Sequence, residues 1–147
     1  MKKVSKNKTE TSKIAKIFID RHLKQIKNRK EAVVVGLLGD LGVGKTTFTQ
    51  AVAKHLGVSN RVSSPTFVVI KKYPIKFKGY KFFFHIDAYR LKNEKEILVL
   101  GWNEIITQPE HIIFIEWPEN VKKVIPKSSK LIHISHIENK HRGFEFK

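Results

Sequence analysis

The sequence predicts an α/β protein that is built around a strand, a glycine-rich loop and a helix in direct succession. Residues 31–38 are a mostly apolar run, residues 39–46 have the sequence Gly-Asp-Leu-Gly-Val-Gly-Lys-Thr, and residues 45–56 show a helical pattern that Gly57 stops. These three observations form one strand-loop-helix unit. The chain has 147 residues, about the size of one domain with a substantial core, so we expect a single domain over its whole length.

The other elements follow from apolar periodicity and turn residues. A first helix is expected from Thr11 or Ser12 to about Ile26, and residues 93–106 are weakly helical. Residues 1–9 carry four lysines before any of these elements, so we expect a disordered basic tail. The remaining segments are predicted strands: a hairpin from 67–73 and 80–87 around Gly79, a short buried strand from 111–115 that ends at Glu116, and two closing antiparallel strands from 130–137 and 142–146.

The glycine-rich loop matches the pattern G-x-x-x-x-G-K-[ST] in full. Backbone amides can surround a β-phosphate only where side chains do not block the approach, which explains the three glycines of the loop. Lys45 would neutralise the β- and γ-phosphates, and the Thr46 hydroxyl would ligate magnesium. A glycine-rich turn that happens to precede a helix is the alternative. The strand before the loop and the helix after it favour a nucleotide triphosphatase.

Two carboxylates are candidates to complete such a site. Asp87 and Glu116 each follow an apolar run that is predicted to be an interior strand, and ligands of open α/β sheets bind at the carboxyl ends of strands. Hydrolysis needs magnesium to be held and a water to be oriented, and carboxylates commonly do both. For either residue the alternative is that it is simply a solvated carboxylate in a turn. Thr66 is a third candidate, because a hydroxyl before a strand could follow the magnesium or the γ-phosphate, although Pro65 could simply shape that turn.

Composition favours phosphate-rich partners and excludes several classes of site. There are 29 basic and 13 acidic residues, a formal net charge of +16, and residues 1–30 hold 11 Lys or Arg against Glu10 and Asp20. RNA is the partner that such a charge favours most, but a lysine-biased genome would leave the same excess. The absence of cysteine excludes disulfides, thiol nucleophiles and Cys-rich zinc sites. No apolar stretch approaches the roughly 18 residues of a membrane span, so we expect no membrane association and a cytoplasmic protein.

Taken together, four blocks of the sequence resemble the bacterial TsaE family, the ATPase component of threonylcarbamoyladenosine synthesis on tRNA. The resemblance covers roughly residues 10–146, and the four blocks in their order and spacing are specific where the loop alone is generic. The blocks are Gly39 to Phe48, Ser64-Pro65-Thr66-Phe67, His85-Ile86-Asp87-Ala88-Tyr89-Arg90-Leu91, and Ile115-Glu116-Trp117-Pro118-Glu119.

This resemblance implies a three-layer P-loop NTPase-like fold, with a parallel core sheet flanked by antiparallel strands. It also implies magnesium-dependent ATP hydrolysis that is weak in the isolated protein. The partners would be TsaB-like and TsaD-like proteins, the latter acting on adenosine 37 of tRNA, with tRNA contacted directly or indirectly. By the resemblance, Thr46 and Glu116 hold magnesium, and Asp87 with Thr66 forms a switch-like region. The ATP-binding residues that it implies are Leu41, Gly42, Val43, Gly44, Lys45, Thr46 and Thr47, with Thr11 approaching from the N-terminal side.

Two other functions fit the loop alone. A small-molecule or nucleotide kinase would use the same loop, but kinases normally add an arginine-bearing lid, and Arg90 and Arg142 are the only arginines after Arg61. A nucleic-acid-binding protein with a vestigial nucleotide site is the third possibility, and the retained loop residues and carboxylates disfavour it. Asn120 stands where an arginine often occurs in the family.

Overall fold

The computed structural model describes residues 1–59 and 69–147, apart from the side chain of Asn139. Within these ranges the chain forms four α-helices and seven strands. Their bounds are β1 (Lys2–Ser5), α1 (Lys8–His22), β2 (Val33–Leu38), α2 (Lys45–His55), β3 (Ile70–Phe77), β4 (Tyr80–Asp87), α3 (Glu94–Val99), α4 (Trp102–Ile106), β5 (His111–Glu116), β6 (Lys130–Ile137) and β7 (His141–Phe146), with short 3-10 helices at Pro118–Val124 and Glu138–Lys140.

All the described strands belong to one mixed sheet in the order β1-β7-β6-β2-β5-β4-β3. Strands β6, β2, β5 and β4 run parallel to one another. At the two sides of this core, β7 pairs antiparallel with β6 and with β1, and β3 pairs antiparallel with β4. The predicted α/β class and the predicted parallel core with antiparallel flanks are therefore present. Because Leu37 and Asp87 both pair with Glu116, the carboxyl ends of β2, β5 and β4 lie side by side.

Two apolar cores cover the two faces of the sheet, and the alternation of side chains along the strands assigns residues to each. Along β5, Phe114 packs into the core that also contains the buried residues of α1 and α2. Its neighbours Ile113 and Ile115 pack into the other core, with Ile97 of α3 and Trp102 of α4. The sheet is thus sandwiched between helices, and both cores hold the central strands rigidly beneath the loops at their carboxyl ends. No helix among the described residues is long and apolar enough to cross a membrane.

Helix α1 begins and ends earlier than the apolar pattern suggested. The side chain of Asn7 accepts a hydrogen bond of 2.9 Å from the Glu10 amide and caps the helix, so α1 starts at Lys8. It ends at His22 because Leu23 leaves the helical region, although Leu23 is still fully buried. The apolar pattern predicted a longer helix because Leu23 is buried like a helical core residue although it lies beyond the last turn of α1.

The hairpin and the weakly helical segment also differ in detail from the predictions. Strand β3 extends to Phe77, and the connection to β4 is the two-residue turn Lys78-Gly79, in which both residues have positive φ. The segment 93–106 is divided into α3 and α4 at Gly101, whose φ of 95° lies in the left-handed region. Residues 67–68, the predicted start of the hairpin, lie outside the described residues.

The structure corrects the prediction of a disordered tail at residues 1–9. Residues 2–5 form β1 and pair antiparallel with β7, with Lys2 opposite Glu145 and Val4 opposite Gly143. The pairing uses backbone groups, which the side-chain composition does not reveal, and the exposed lysines are compatible with an edge strand. This strand leads directly into the cap of α1.

Candidate functional site

The glycine-rich loop at the end of β2 depends on its glycines for both conformation and space. Gly39, Gly42 and Gly44 have φ values of 144°, 77° and 111°, which disfavour any residue with a Cβ. A Cβ on Gly39 would lie 2.4 Å from the carbonyl oxygen of Ile134, and one on Gly44 would lie 2.9 Å from Cζ of Arg142. A Cβ on Gly42 would meet nothing within 4 Å. The loop is therefore held against β6 and β7, and its backbone is open near Gly42.

Lys45, the first residue of α2, is 4% exposed and points back across the loop. Its Nζ donates a hydrogen bond to the Gly39 carbonyl and lies 3.7 Å from the centre of the Trp117 ring, a cation–π contact. Burial lowers the pKa of Lys45, and the carboxylates of Glu116 and Glu119, followed by those of Asp87 and Asp40, oppose that shift. The amine thus faces the carboxyl ends of the neighbouring strands.

Thr46 and Glu116 meet at the bottom of the cleft. The Thr46 hydroxyl donates a hydrogen bond of 3.1 Å to Oε2 of Glu116, and Nε2 of His85 lies 2.6 Å from the same oxygen. Glu116 is 5% exposed and His85 is fully buried, so the carboxylate has little freedom to turn. A hydroxyl and a carboxylate held together supply the oxygen ligands that Mg²⁺ prefers.

Asp87 lies beside Glu116 at the end of β4. Its Oδ1 accepts a hydrogen bond of 2.9 Å from the Tyr89 amide. Burial raises the pKa of Asp87, the Tyr89 hydrogen bond partly offsets this, and the nearby Glu116 raises it further. Asp87 is therefore placed to accept a hydrogen bond or a proton inside the cleft.

These side chains line one cleft of ≈ 450 Å³. Eight of the sequence-predicted site residues belong to its lining: Leu41, Gly42, Gly44, Lys45, Thr46, Thr47, Asp87 and Glu116. Five further residues of the described part of the chain also line it: Val69, Tyr89, Arg90, Trp117 and Arg142. The cleft is large enough for a small organic ligand and combines cationic, anionic and aromatic groups.

Two of the predicted residues are placed differently. Val43 turns its side chain into the core beneath the loop, and its amide donates a hydrogen bond of 3.2 Å to the Asp40 carbonyl. Thr11 does not line the cleft: it is 1% exposed, and its hydroxyl lies 2.7 Å from that of Ser5. Its predicted contact with nucleotide therefore has no counterpart in the cleft, because the side chain fastens β1 to α1. Thr66 lies outside the described residues.

The structure adds residues to which the sequence analysis gave no role. His85 and Trp117 belong to the blocks that resemble the family, and only the fold shows that both contact other site residues. Arg142 lies on β7, far along the chain from the loop, and its sole sequence signal was the scarcity of arginine. It also lines a smaller groove of ≈ 160 Å³ with Ser5, Lys6, Asn7, Lys8 and Lys140, so the N-terminal segment borders the cleft.

Comparisons with known proteins are consistent with one another. A family model described as "Threonylcarbamoyl adenosine biosynthesis protein TsaE" matches residues 5–144.

Three of the similar proteins carry the name tRNA threonylcarbamoyladenosine biosynthesis protein TsaE. The one from Haemophilus influenzae is 31% identical over 127 residues, which are 86% of this chain and 74% of the relative. The one from Rickettsia prowazekii is 34% identical over 138 residues, 92% of this chain and 87% of the relative. The one from Bacillus subtilis is 35% identical over 117 residues, 80% of this chain and 70% of the relative.

The comparison of structures gives a similar result. A crystal structure of Bacillus subtilis YdiB superposes with a TM-score of 0.74 at 29% sequence identity. The match covers 99% of this chain and 83% of that one.

Proposed function

The chain belongs to the TsaE family, and we propose that it is a magnesium-dependent ATPase with a P-loop NTPase-like fold that supports threonylcarbamoyladenosine formation on tRNA. The observation that carries the proposal is the contact of 3.1 Å between the Thr46 hydroxyl and the Glu116 carboxylate, directly beside the glycine-rich loop. A hydroxyl and a carboxylate at these positions, with Lys45 next to them, are the groups that bind a magnesium nucleotide in such folds.

In this proposal the ATP phosphates lie against the backbone from Leu41 to Thr47. The backbone is open at Gly42, where a Cβ would meet nothing within 4 Å, and the helix dipole at the start of α2 also favours negative charge. The Lys45 amine and the Arg142 guanidinium both line the cleft and would supply positive charge to the phosphates. Val43 contributes through backbone only, because its side chain is buried.

The donor set at Thr46 and Glu116 fits magnesium. Among residues 1–59 and 69–147 there is no cluster of three or more His, Asp or Glu side chains that would form a metal site without a nucleotide. This agrees with a Mg²⁺ ion that uses one or two protein oxygens and takes further ligands from phosphate and water. When bound, Mg²⁺ would neutralise charge on the β- and γ-phosphates. His85 would hold the Glu116 carboxylate in the orientation required.

Asp87 is the candidate for orienting the attacking water. It lines the cleft beside Glu116, and partial burial raises the pKa of its carboxyl group. Of its two carboxylate oxygens, Oδ1 is engaged by the Tyr89 amide, which fixes the direction of the other. Thr66 would belong to the same switch-like region.

The names of the relatives lead us to propose that the ATPase acts with TsaD-like and TsaB-like proteins in the cytoplasm, where hydrolysis is coupled to the modification of adenosine 37. The net charge of +16 would favour an encounter with tRNA, whether direct or through the partners. In this arrangement we expect only weak hydrolysis by the isolated chain.

One reconstitution tests the proposal. Threonylcarbamoyladenosine on tRNA is measured with the TsaB-like and TsaD-like partners, with and without this chain, over repeated turnovers. We expect sustained product only when the chain, ATP and Mg²⁺ are all present. Product that accumulates equally without the chain would contradict the proposal.

A small-molecule or nucleotide kinase is the second candidate. Both Arg90 and Arg142 line the cleft, so the structure supports a kinase more than the sequence alone does. The two functions differ in the fate of the γ-phosphate. Hydrolysis releases inorganic phosphate from ATP alone, whereas a kinase leaves the label of γ-labelled ATP on an acceptor. Acceptor-dependent consumption of ATP with no free phosphate would favour the kinase.

A further inference from the structure

A backbone hydrogen bond connects the ends of β4 and β5, just beyond Asp87 and at Glu116. The sheet pairing of β4 with β5 ends at these two residues. Just beyond it, the amide of Ala88 donates a hydrogen bond of 3.0 Å to the carbonyl of Glu116. The next hydrogen bonds between the segments that follow Asp87 and Glu116 are donated by a side chain.

That side chain is Asn120, in the 3-10 helix after β5. Its Nδ2 donates to the carbonyl of Ala88 at 2.9 Å and to the carbonyl of Tyr89 at 3.2 Å, so its amide group reaches two successive carbonyls. The amide of Asn120 itself donates to the Trp117 carbonyl at 3.1 Å, which anchors the residue in its own turn. The Ala88 carbonyl also accepts from the Leu91 amide at 3.1 Å, so Asn120 reinforces a turn that is already formed.

The turns that follow Asp87 and Glu116 also contact each other through aromatic rings next to Lys45. The rings of Tyr89 and Trp117 are 5.1 Å apart, and Lys45 lies over the Trp117 ring. Trp117 has a φ of 59°, a left-handed conformation that is uncommon for a bulky residue and persists only where its surroundings enforce it. Asn120 therefore ties together the turn that follows Asp87 and the turn that follows Glu116.

We propose that Asn120 is a positioning residue, which fixes the separation of the Asp87 and Glu116 carboxylates by joining Ala88 and Tyr89 to the Trp117–Asn120 turn. We call these contacts the Asn120 clamp. The inference rests on the proposed ATPase function and assigns to this side chain a role in the chemical step. Misplacing a catalytic group by a fraction of an ångström slows that step. Phosphate binding depends on the backbone of residues 41–47 in the β2–α2 unit, which meets the clamp through the contact of the Lys45 amine with the Trp117 ring.

The clamp predicts a split between turnover and affinity. Asn120→Asp has the same shape but no N–H to donate, and Asn120→Leu removes the donor without adding charge. We expect kcat for MgATP to fall about tenfold in both, as for the loss of one or two hydrogen bonds, while KM stays within about twofold. Asn103→Leu, an exposed asparagine in α4, is the matched control and should leave both constants unchanged.

A second measurement needs no nucleotide. Amide hydrogen exchange of residues 87–91 in the full chain should become about tenfold faster in both Asn120 variants, and exchange in α1 should not change. Unchanged exchange at residues 87–91 overturns the clamp, even if the wild-type chain proves not to hydrolyse ATP, which would instead contradict the proposed function. If exchange becomes faster but kcat stays at the wild-type value, or kcat and KM change together, the clamp is purely structural and the positioning role is wrong.

Discussion

The cleft and the N-terminal strand both carry several charged side chains, but some of those in the cleft are buried among partners and those of the strand are mostly exposed. In the cleft, Lys45 and Glu116 are 4% and 5% exposed and lie among specific partners. On and just after β1, Lys2, Lys6 and Lys8 are exposed, and the segment is held by backbone pairing and the Asn7 cap. Burial makes a charge costly unless it is paired, so each cleft residue depends on its neighbours, whereas exposed lysines act through a field that salt weakens.

This difference predicts large, residue-specific effects in the cleft and small, additive effects on the strand. The two regions nevertheless share a border, because Arg142 lines both the cleft and the groove of residues 5–8. Five variants test how far the contrast extends.

Lys45→Ala should have the largest effect. No backbone amide can replace a cation between the β- and γ-phosphates, so we expect ATP affinity and hydrolysis to fall by a factor of about 100 or more. Titration calorimetry and phosphate release measure the two quantities. Lys54→Ala, on the exposed side of the same helix, is the control and should behave as wild type. Near-normal turnover in Lys45→Ala would show that the loop is not a phosphate site.

Substitution of the two carboxylates should separate their roles. Glu116→Ala should raise the Mg²⁺ concentration for half-maximal hydrolysis by a factor of about 10 to 100, the usual cost of a lost ligand or supporting group. Glu104→Ala, an exposed glutamate of α4, is the control for this change.

Asp87→Ala should instead slow hydrolysis while the nucleotide still binds, because Asp87 is assigned to the water and not to the metal. Binding of a non-hydrolysable ATP analogue and phosphate release are compared at saturating Mg²⁺. Wild-type hydrolysis at limiting Mg²⁺ in either carboxylate variant would remove that residue from the site.

Neutralising the N-terminal lysines should have a smaller effect that is visible only in binding to tRNA or the tRNA-bound complex. Deleting residues 2–8 would remove β1 and the Asn7 cap, so the test replaces only the side chains of Lys2, Lys3, Lys6 and Lys8 with glutamine. We expect weaker association and a salt dependence flattened by up to about four ion contacts, with isolated ATPase activity unchanged. The control replaces four exposed lysines elsewhere, namely Lys92, Lys95, Lys122 and Lys123. Equal slopes for the two variants would mean that the N-terminal lysines reflect only composition.

Asn7→Ala should have the smallest effect. Loss of the helix cap should lower the free energy of unfolding by about 1 kcal/mol in a urea titration. ATP binding should be unchanged if the N-terminal strand and the cleft are energetically separate. A matching loss of ATP affinity would show that the groove shared through Arg142 couples the two regions.

The sequence by itself determined the strand, the glycine-rich loop and helix α2, because this unit is local and its glycines and lysine have fixed spacing. It also placed Asp87 and Glu116 at strand ends, because an apolar run followed by a carboxylate is visible along the chain. The predicted disordered tail was wrong for β1, since pairing with β7 depends on backbone groups about 140 residues away in the sequence.

Only the tertiary structure decided which of these groups meet. The strand order places β5 between β2 and β4, and this brings Glu116 to both Thr46 and His85. Arg142 reaches Gly44 because β7 folds back on β6, and Thr11 is turned away from the cleft by its hydrogen bond to Ser5. Local patterns fix elements and their chemistry. Contacts between distant segments depend on sheet order and packing, which no short stretch of sequence encodes.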